Sequence, residues 1–230
     1  MPEKLILSPK QGYNIIAPYY DSWKWQDFWH RNEYPLIQNW CRSLTVGHGA
    51  DFGAGSGNNL ECFLKAGHKV TAYDVSDMML LVCQHKYSKE IEKGQLKCLV
   101  QDICDMEVSN KAFDWIICNR VLSHVQAVAK VIRRIGRTLK SGGECFISDV
   151  HPMHNYEHTH FRLGSKDIII ETYKHNLEEI AKLFFINSMK ILEYREVRYV
   201  DLYDKITAGN LHAIQDDDTP IFYFYILKKV

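Results

Sequence analysis

The run Asp51-Phe52-Gly53-Ala54-Gly55-Ser56-Gly57-Asn58-Asn59 places three glycines at alternate positions directly after an apolar stretch. Residues without a Cβ let the chain turn tightly and let a ligand approach the backbone. The amides at the start of the helix that follows lack partners within it. The spacing is G-x-G-x-G; in the dinucleotide fingerprint G-x-G-x-x-G the third glycine would stand where this chain has Asn58. Asp74 lies 17 residues beyond Gly57, at the end of a second apolar stretch. A carboxylate there can accept both hydroxyls of a ribose and would repel a 2′-phosphate, which favours adenosine or NAD over NADP. Gln101-Asp102-Ile103 follows a third apolar stretch, and the Asp102 carboxylate could take the amino group of an adenine. Either acid alone reads as a solvated loop residue. Their recurrence at the carboxyl ends of successive strands points to a ligand site.

The elements that must position these groups alternate between strand and helix. A strand from His48 runs into the glycines, Asn59 to Ala66 reads as a helix stopped by Gly67, and Lys69 to Tyr73 is the second strand. Ser76 caps a helix to Lys86; Leu96–Val100 and Ala112–Cys118 are the next strands. Val121 to Leu139 has helical spacing ended by Ser141-Gly142-Gly143, and Glu144–Val150 is the fifth strand. Thr159–Leu163 and Ile168–Tyr173 form an inserted β-hairpin, within about residues 156–174. A helix over 176–187 and strands over Lys190–Val200 and Ile221–Lys228 close the chain; Asp216-Asp217-Asp218 reads as a solvated turn. The expected fold is α/β, a Rossmann-like seven-stranded, mostly parallel sheet with a reversed C-terminal strand.

The first 43 residues differ in composition. Nine aromatics stand among the 28 residues from Tyr13 to Trp40, where the 12% chain average gives about three. This segment is expected to form helices that cover the domain of residues 44–230, either as plain packing or as an aromatic lid over a ligand. Twenty-eight basic residues balance 28 acidic ones, so no basic face announces nucleic acid or an anionic membrane. No apolar run is long enough to span a bilayer, and the start lacks a signal peptide's apolar segment, so a cytoplasmic location is expected. Seven scattered cysteines without a C-x-x-C pair argue against a disulfide framework or zinc.

In order and spacing, the segments Asp51–Gly57, Val70–Ser76 with Met78 and Met79, Gln101-Asp102, Phe113–Asn119 and Leu139–Gly143 together resemble the class I S-adenosylmethionine-dependent methyltransferases. The resemblance covers about residues 45 to 150. It implies S-adenosylmethionine as cofactor, touched by Gly53, Ala54, Gly55 and Asn58 of the glycine loop, by Asp74, Val75 and Met79, and by Asp102, Ile103 and Asn119. The opening Tyr13–Asp21 is similar to the N-terminal lid helix of the small-molecule branch that includes quinone-biosynthesis and natural-product enzymes, which implies cofactor contacts for Tyr13 and Tyr20.

Methyl transfer to such an acceptor requires a nucleophile held in line with the methyl group and one proton removed. After the fourth strand comes Asn119-Arg120-Val121-Leu122-Ser123-His124. If helical, it sets Arg120 and His124 four apart on one face. His suits proton removal near neutral pH and Arg suits holding a phenolate or carboxylate; the pair is similar to that of aminocoumarin-type C-methyltransferases. A packed structural histidine is the competing account. After the fifth strand stand His151, His154, His158 and His160. Pro152 does not support the helix that metal-ligand spacing would need, so no metal is expected and His151 is taken as a further catalytic candidate. The expected activity is O- or C-methylation of a small aromatic or phenolic acceptor. The alternatives are a nicotinamide-dependent oxidoreductase, disfavoured by Asn58, and a non-catalytic protein that binds the same cofactor.

Overall fold

A computed structural model of the chain describes residues 3–205 and 218–230. Its core is a seven-stranded sheet of β2 (His48–Phe52), β3 (Lys69–Asp74), β4 (Leu96–Val100), β5 (Phe113–Asn119), β6 (Leu139–Val150), β9 (Met189–Arg198) and β10 (Pro220–Lys229). The strand order is β4-β3-β2-β5-β6-β10-β9. Strands β2 to β6 pair in parallel, and β10 runs antiparallel to both β6 and β9. The reversed C-terminal strand is therefore present. Along β5, Trp115 and Ile117 enter one core cluster while Ile116 and Cys118 enter the other, as the two-residue period of a strand requires. Both faces are covered, which is why the segment reads as unbroken apolar sequence.

Helices α4 (Leu60–Lys65), α5 (Asp77–Lys86), α6 (Ser88–Glu92), α7 (Val128–Thr138) and α8 (Leu177–Ile186) connect the strands. Ser76 caps α5 by accepting the Met79 amide at 3.1 Å. The capping oxygen of α8 is Asn176 Oδ1, which accepts the amides of Glu178 and Glu179. The helical expectation for Val121 to Leu139 is corrected. Arg120 has φ +55°, Leu122–His124 is a single 3₁₀ turn, and α7 starts only at Val128. The Arg120 amide donates to Ser148 O at 2.7 Å, so β6 holds the chain in a sharp exit from β5 that no helix could make. The Leu139–Gly143 segment extends β6 rather than only ending a helix, with a register shift between Phe113 and Trp115 absorbing the glycines.

The N-terminal segment holds β1 (Glu3–Leu7), α1 (Pro9–Tyr20), α2 (Lys24–Asn32) and α3 (Tyr34–Ser43). Sequence reading expected helices alone here. Strand β1 pairs in parallel with β8 (Lys166–Ile170), which pairs antiparallel with β7 (Thr159–Leu163), so the hairpin is part of a separate three-stranded sheet. Helix α1, capped reciprocally by Ser8 and Gln11, packs Ile16 against Phe161, Ile168 and Ile170. In contrast, α2 and α3 insert Phe28, Ile37 and Trp40 into the main core. Asp216 and Asp217 of the acidic run lie outside the described residues. No helix among the described residues is long and apolar enough to cross a membrane.

Beneath the sheet's centre a Cβ on Gly49 would collide with the Trp115 indole. That indole stacks on Phe63 at 4.2 Å between centroids and donates its N–H to His68 Nδ1 at 2.9 Å, so it cannot step aside. Gly49→Ala should lower stability by about 1–3 kcal/mol, the usual cost of overpacking. Denaturant unfolding of the two proteins checks this, and an unchanged midpoint would refute it.

Candidate active site

The carboxyl ends of β2 to β6 open on one edge, beneath α1 and α2, around a cavity of about 900 Å3. Gly53, Gly55 and Gly57 take φ of +80°, +55° and +80°, a region that costs a residue with a Cβ appreciable strain. Contrary to the expectation of free amides, the loop spends several of them internally. Gly53 and Ala54 donate to Tyr73 O, Gly55 to Asp74 and Gly57 to Ala54 O. The glycines thus supply close approach rather than a full set of donors.

Asp74 leaves the tip of β3 with Oδ2 accepting the Gly55 amide and Oδ1 the Ser76 amide, both at 2.8 Å. These bonds orient the carboxylate at the cavity wall; burial pushes its pKa up against their opposing pull. Val75, Met79, Asp102, Ile103 and Asn119 line the same cavity as Gly53, Ala54, Gly55 and Asn58. Asn58 also receives Lys86 Nζ at 2.7 Å and donates to Gln26 at 3.2 Å, so its side chain ties the loop to α2. Asn119 Oδ1 accepts Asn59 Nδ2 and Arg120 Nε, while its Nδ2 donates to Ser148 Oγ. Its amide is occupied in holding neighbours in place.

On the other side of the cavity, His124 Nδ1 stands 3.0 Å from Glu171 O and Nε2 stands 2.8 Å from Tyr13 Oη. A carbonyl only accepts, so Nδ1 carries the proton and Nε2 receives the Tyr13 hydroxyl. Burial, reinforced by the nearby Arg120 charge and opposed by the Glu171 carbonyl, lowers His124 to about 4. The imidazole is therefore neutral at pH 7. Burial likewise raises Tyr13 well above its ordinary value. Tyr13 is turned toward His124, with Tyr20 edge-on at 5.9 Å. Thr159 lies 3.5 Å from Nε2 and is itself bonded to Tyr156. Arg120 also lines the cavity; its Nε is 3.2 Å from buried Glu33 Oε2, and its Cζ lies over the Trp29 ring at 5.1 Å.

The four histidines after β6 separate. His151 does not line this cavity; it accepts the Met153 amide at Nδ1 and faces Glu196 at 3.6 Å, beside a small adjoining hollow. His154, His158 and His160 line the cavity, and His160 also faces Asp167 at 3.5 Å. Among the described residues no group of three or more His, Cys, Asp or Glu is placed to hold a metal ion.

The comparisons with known proteins bear on these geometries. A methyltransferase-domain family model matches residues 50–147. The chain is 24% identical over 170 residues to a ubiquinone biosynthesis O-methyltransferase of Coxiella burnetii, covering 74% of this chain and 70% of that protein. The matched domain and the curated relatives make this chain an S-adenosylmethionine-dependent methyltransferase. Solved structures show the same fold. An S-adenosylmethionine-dependent methyltransferase from Clostridium acetobutylicum superposes with TM-score 0.67 at 17% identity, over 94% of this chain and 98% of that one. Haemonchus contortus phosphoethanolamine N-methyltransferase 2, in complex with phosphomonomethylethanolamine and S-adenosylhomocysteine, gives 0.64 at 19% identity, over 86% of this chain. This methyltransferase spans about half, 52%, of the latter's length. The methyltransferase-domain match sets aside the nicotinamide-dependent alternative.

S-adenosylmethionine is the cofactor of this class, and the residues present fit it. The oriented Asp74 carboxylate suits a ribose, and a cradle where a Gly55 Cβ would press on Met79 Cε at 3.2 Å leaves room beside the backbone. Glu33, Trp29 and Asn59 escaped sequence reading, because only tertiary contact brings them to Arg120 and Asn119.

Asp51, under the glycine loop, has neither carboxylate oxygen bonded, and burial together with the Asp74 charge raises its pKa to about 8. A folded-state value above the unfolded one stabilises the fold most at low pH, and that contribution disappears as pH rises through about 8. Between pH 5 and 9 the wild type should therefore lose stability relative to Asp51→Asn by at least about 1 kcal/mol. Denaturant titrations of both proteins across that range check it; a pH-independent difference would contradict it.

Proposed function

We propose that this methyltransferase acts on a small aromatic or phenolic acceptor, at oxygen or carbon, with His124 as the base and Arg120 as the anion-holding group. The observation that carries the reading is the His124 imidazole. It lines the cavity in one tautomer, its Nδ1 proton committed to the Glu171 carbonyl and Nε2 turned to a hydroxyl. That is the arrangement a base needs to receive a proton from an acceptor. The Tyr13 hydroxyl now on Nε2 occupies the place an acceptor hydroxyl would take, or stands beside it as the next member of a hydrogen-bonded chain.

Aromatic walls support a flat acceptor: Tyr20, Trp23, Trp25, Trp29 and Phe161 all face this cavity. The activities for which the relatives are named, ubiquinone biosynthesis O-methylation and phosphoethanolamine N-methylation, both concern small molecules and support the same size class. Gly53, Ala54, Gly55, Asn58, Asp74, Val75, Met79, Asp102, Ile103 and Asn119 are assigned to the cofactor half, with Tyr13 and Tyr20 at the junction. Bound there, S-adenosylmethionine supplies a methyl group activated by its sulfonium charge. The chain's own residues exclude water beneath α1 and α2, orient the acceptor and accept one proton at His124 Nε2. His151 has no part in this arrangement, since it faces Glu196 away from the cavity.

Calorimetric titration with S-adenosylhomocysteine should show binding that weakens at least about tenfold, roughly 1.4 kcal/mol, in Asp74→Ala. His124→Ala and Arg120→Ala should keep that affinity and lose turnover, measured as S-adenosylhomocysteine release over a panel of phenols. Binding without turnover in the wild type on every phenol would favour the non-catalytic alternative.

The pH dependence is a separate expectation. With His124 near 4, its basic form persists through neutral pH and is lost only on acidification. The acid limb of kcat/KM attributable to His124 should therefore fall near pH 4 rather than near 6.5. A limb at 6.5 that disappears in His124→Asn would contradict the buried, neutral imidazole.

A further inference from the structure

We propose that the acceptor carries an acidic group, a carboxylate or a phosphate-type anion, apart from the atom that is methylated, and that Glu33 is the positioning residue that turns Arg120 to receive it. The inference rests on reading the His124 side of the cavity as the acceptor site.

A guanidinium offers donors along two edges: one that includes Nε, and an end formed by Nη1 and Nη2. In Arg120 the first edge is taken. Nε lies 3.2 Å from Glu33 Oε2 and 3.1 Å from Asn119 Oδ1. Its Cζ lies over the Trp29 ring, 5.1 Å from the centroid, and the backbone amide is pinned to Ser148 O. The position of the group and the direction of its Nε edge are therefore set. The Nη1–Nη2 end makes no bond to any described residue, although the side chain is only 16% exposed and lines the cavity. An enclosed cationic fork without a partner is costly, and its geometry matches a group that presents two oxygens.

The neighbouring acids do not fill that end. Each Asp149 oxygen accepts an amide, from Ser123 or Val150, at 2.7 Å, and Asp74 is likewise held by Gly55 and Ser76. Glu33 is 1% exposed, and Arg120 is the partner of its Oε2. A carboxylate so enclosed is tolerated through its cation. Its place at the junction of α2 and α3 lets the N-terminal segment, rather than the strand that bears Arg120, decide where the fork points. The substrate class is accordingly an aromatic hydroxy acid, or its phosphonate counterpart, whose anion sits at Arg120 while its nucleophile reaches His124.

The test is calorimetric titration of the full chain, saturated with S-adenosylhomocysteine, with 4-hydroxybenzoate, 3,4-dihydroxybenzoate, 4-hydroxyphenylphosphonate and the methyl esters of the two carboxylates. At least one acid should bind about tenfold or more tightly than its neutral ester, or the phosphonate tighter than both esters, the two arms separating carboxylate from phosphate-type recognition. Glu33→Gln and Arg120→Lys should each reduce that preference to less than about threefold while S-adenosylhomocysteine affinity stays within about twofold, and Glu33→Asp should restore part of it. Retained cofactor affinity also shows that the variants are folded. Esters bound as tightly as acids, or no acid bound by protein that holds S-adenosylhomocysteine, overturns the proposal. Loss of acid and ester alike in Glu33→Gln overturns the positioning role. Failure of the wild type to hold S-adenosylhomocysteine overturns instead the reading of the site on which the proposal rests.

Discussion

In a parallel sheet the crossovers from β2 to β3 and from β5 to β6 depart to opposite sides, which leaves a crevice between the tips of β2 and β5. That crevice is the constraint from which the site follows. The glycine loop leaves β2, Asp74 ends β3, Asp102 follows β4, and Arg120 and Asp149 stand where β5 and β6 finish. Strand direction alone places these groups within one cavity, although they span 97 residues of chain, from Gly53 to Asp149. The same packing makes the strands uniformly apolar below and polar at their tips.

A crevice needs a second wall, and the N-terminal segment provides it with directional bonds as well as apolar area. Asp21 meets Ser56 Oγ and Lys86, Asn14 meets Ser76 and Asp77, and Gln26 meets Asn58. These clips fasten α1 and α2 to the glycine loop and to α5, while Tyr13 reaches His124 and Glu33 reaches Arg120. Because the Glu33–Arg120 pair is enclosed, breaking it would leave an uncompensated charge, a cost far above that of an exposed ion pair. The wall and the chemistry are thus linked energetically, which a covering of plain apolar helices would not achieve.

The glycine-loop half of the cavity was legible in the sequence because its signals are local. Glycines at fixed spacing and an acid at a strand end are backbone requirements, and backbone requirements are written in consecutive residues. The helix once expected across Arg120 failed for a complementary reason. Its apolar spacing was compatible with a helix, but the Arg120 amide finds its partner on β6, and that long-range bond selects a left-handed residue over a helical turn. Strand β1 was missed because its edge is satisfied only by β8, more than 150 residues away.

By itself, then, the sequence determined the sheet, its reversed last strand, the methyltransferase activity and many of the residues that line the cavity, since all of these depend on periodicity and short-range spacing. Only the tertiary structure decided that Tyr13 faces His124, that Glu33 and Trp29 hold Arg120, and that His151 turns to Glu196 instead. Those outcomes depend on which side chain satisfies which buried polar atom, and such pairings arise between elements remote in the chain, where no local pattern records them.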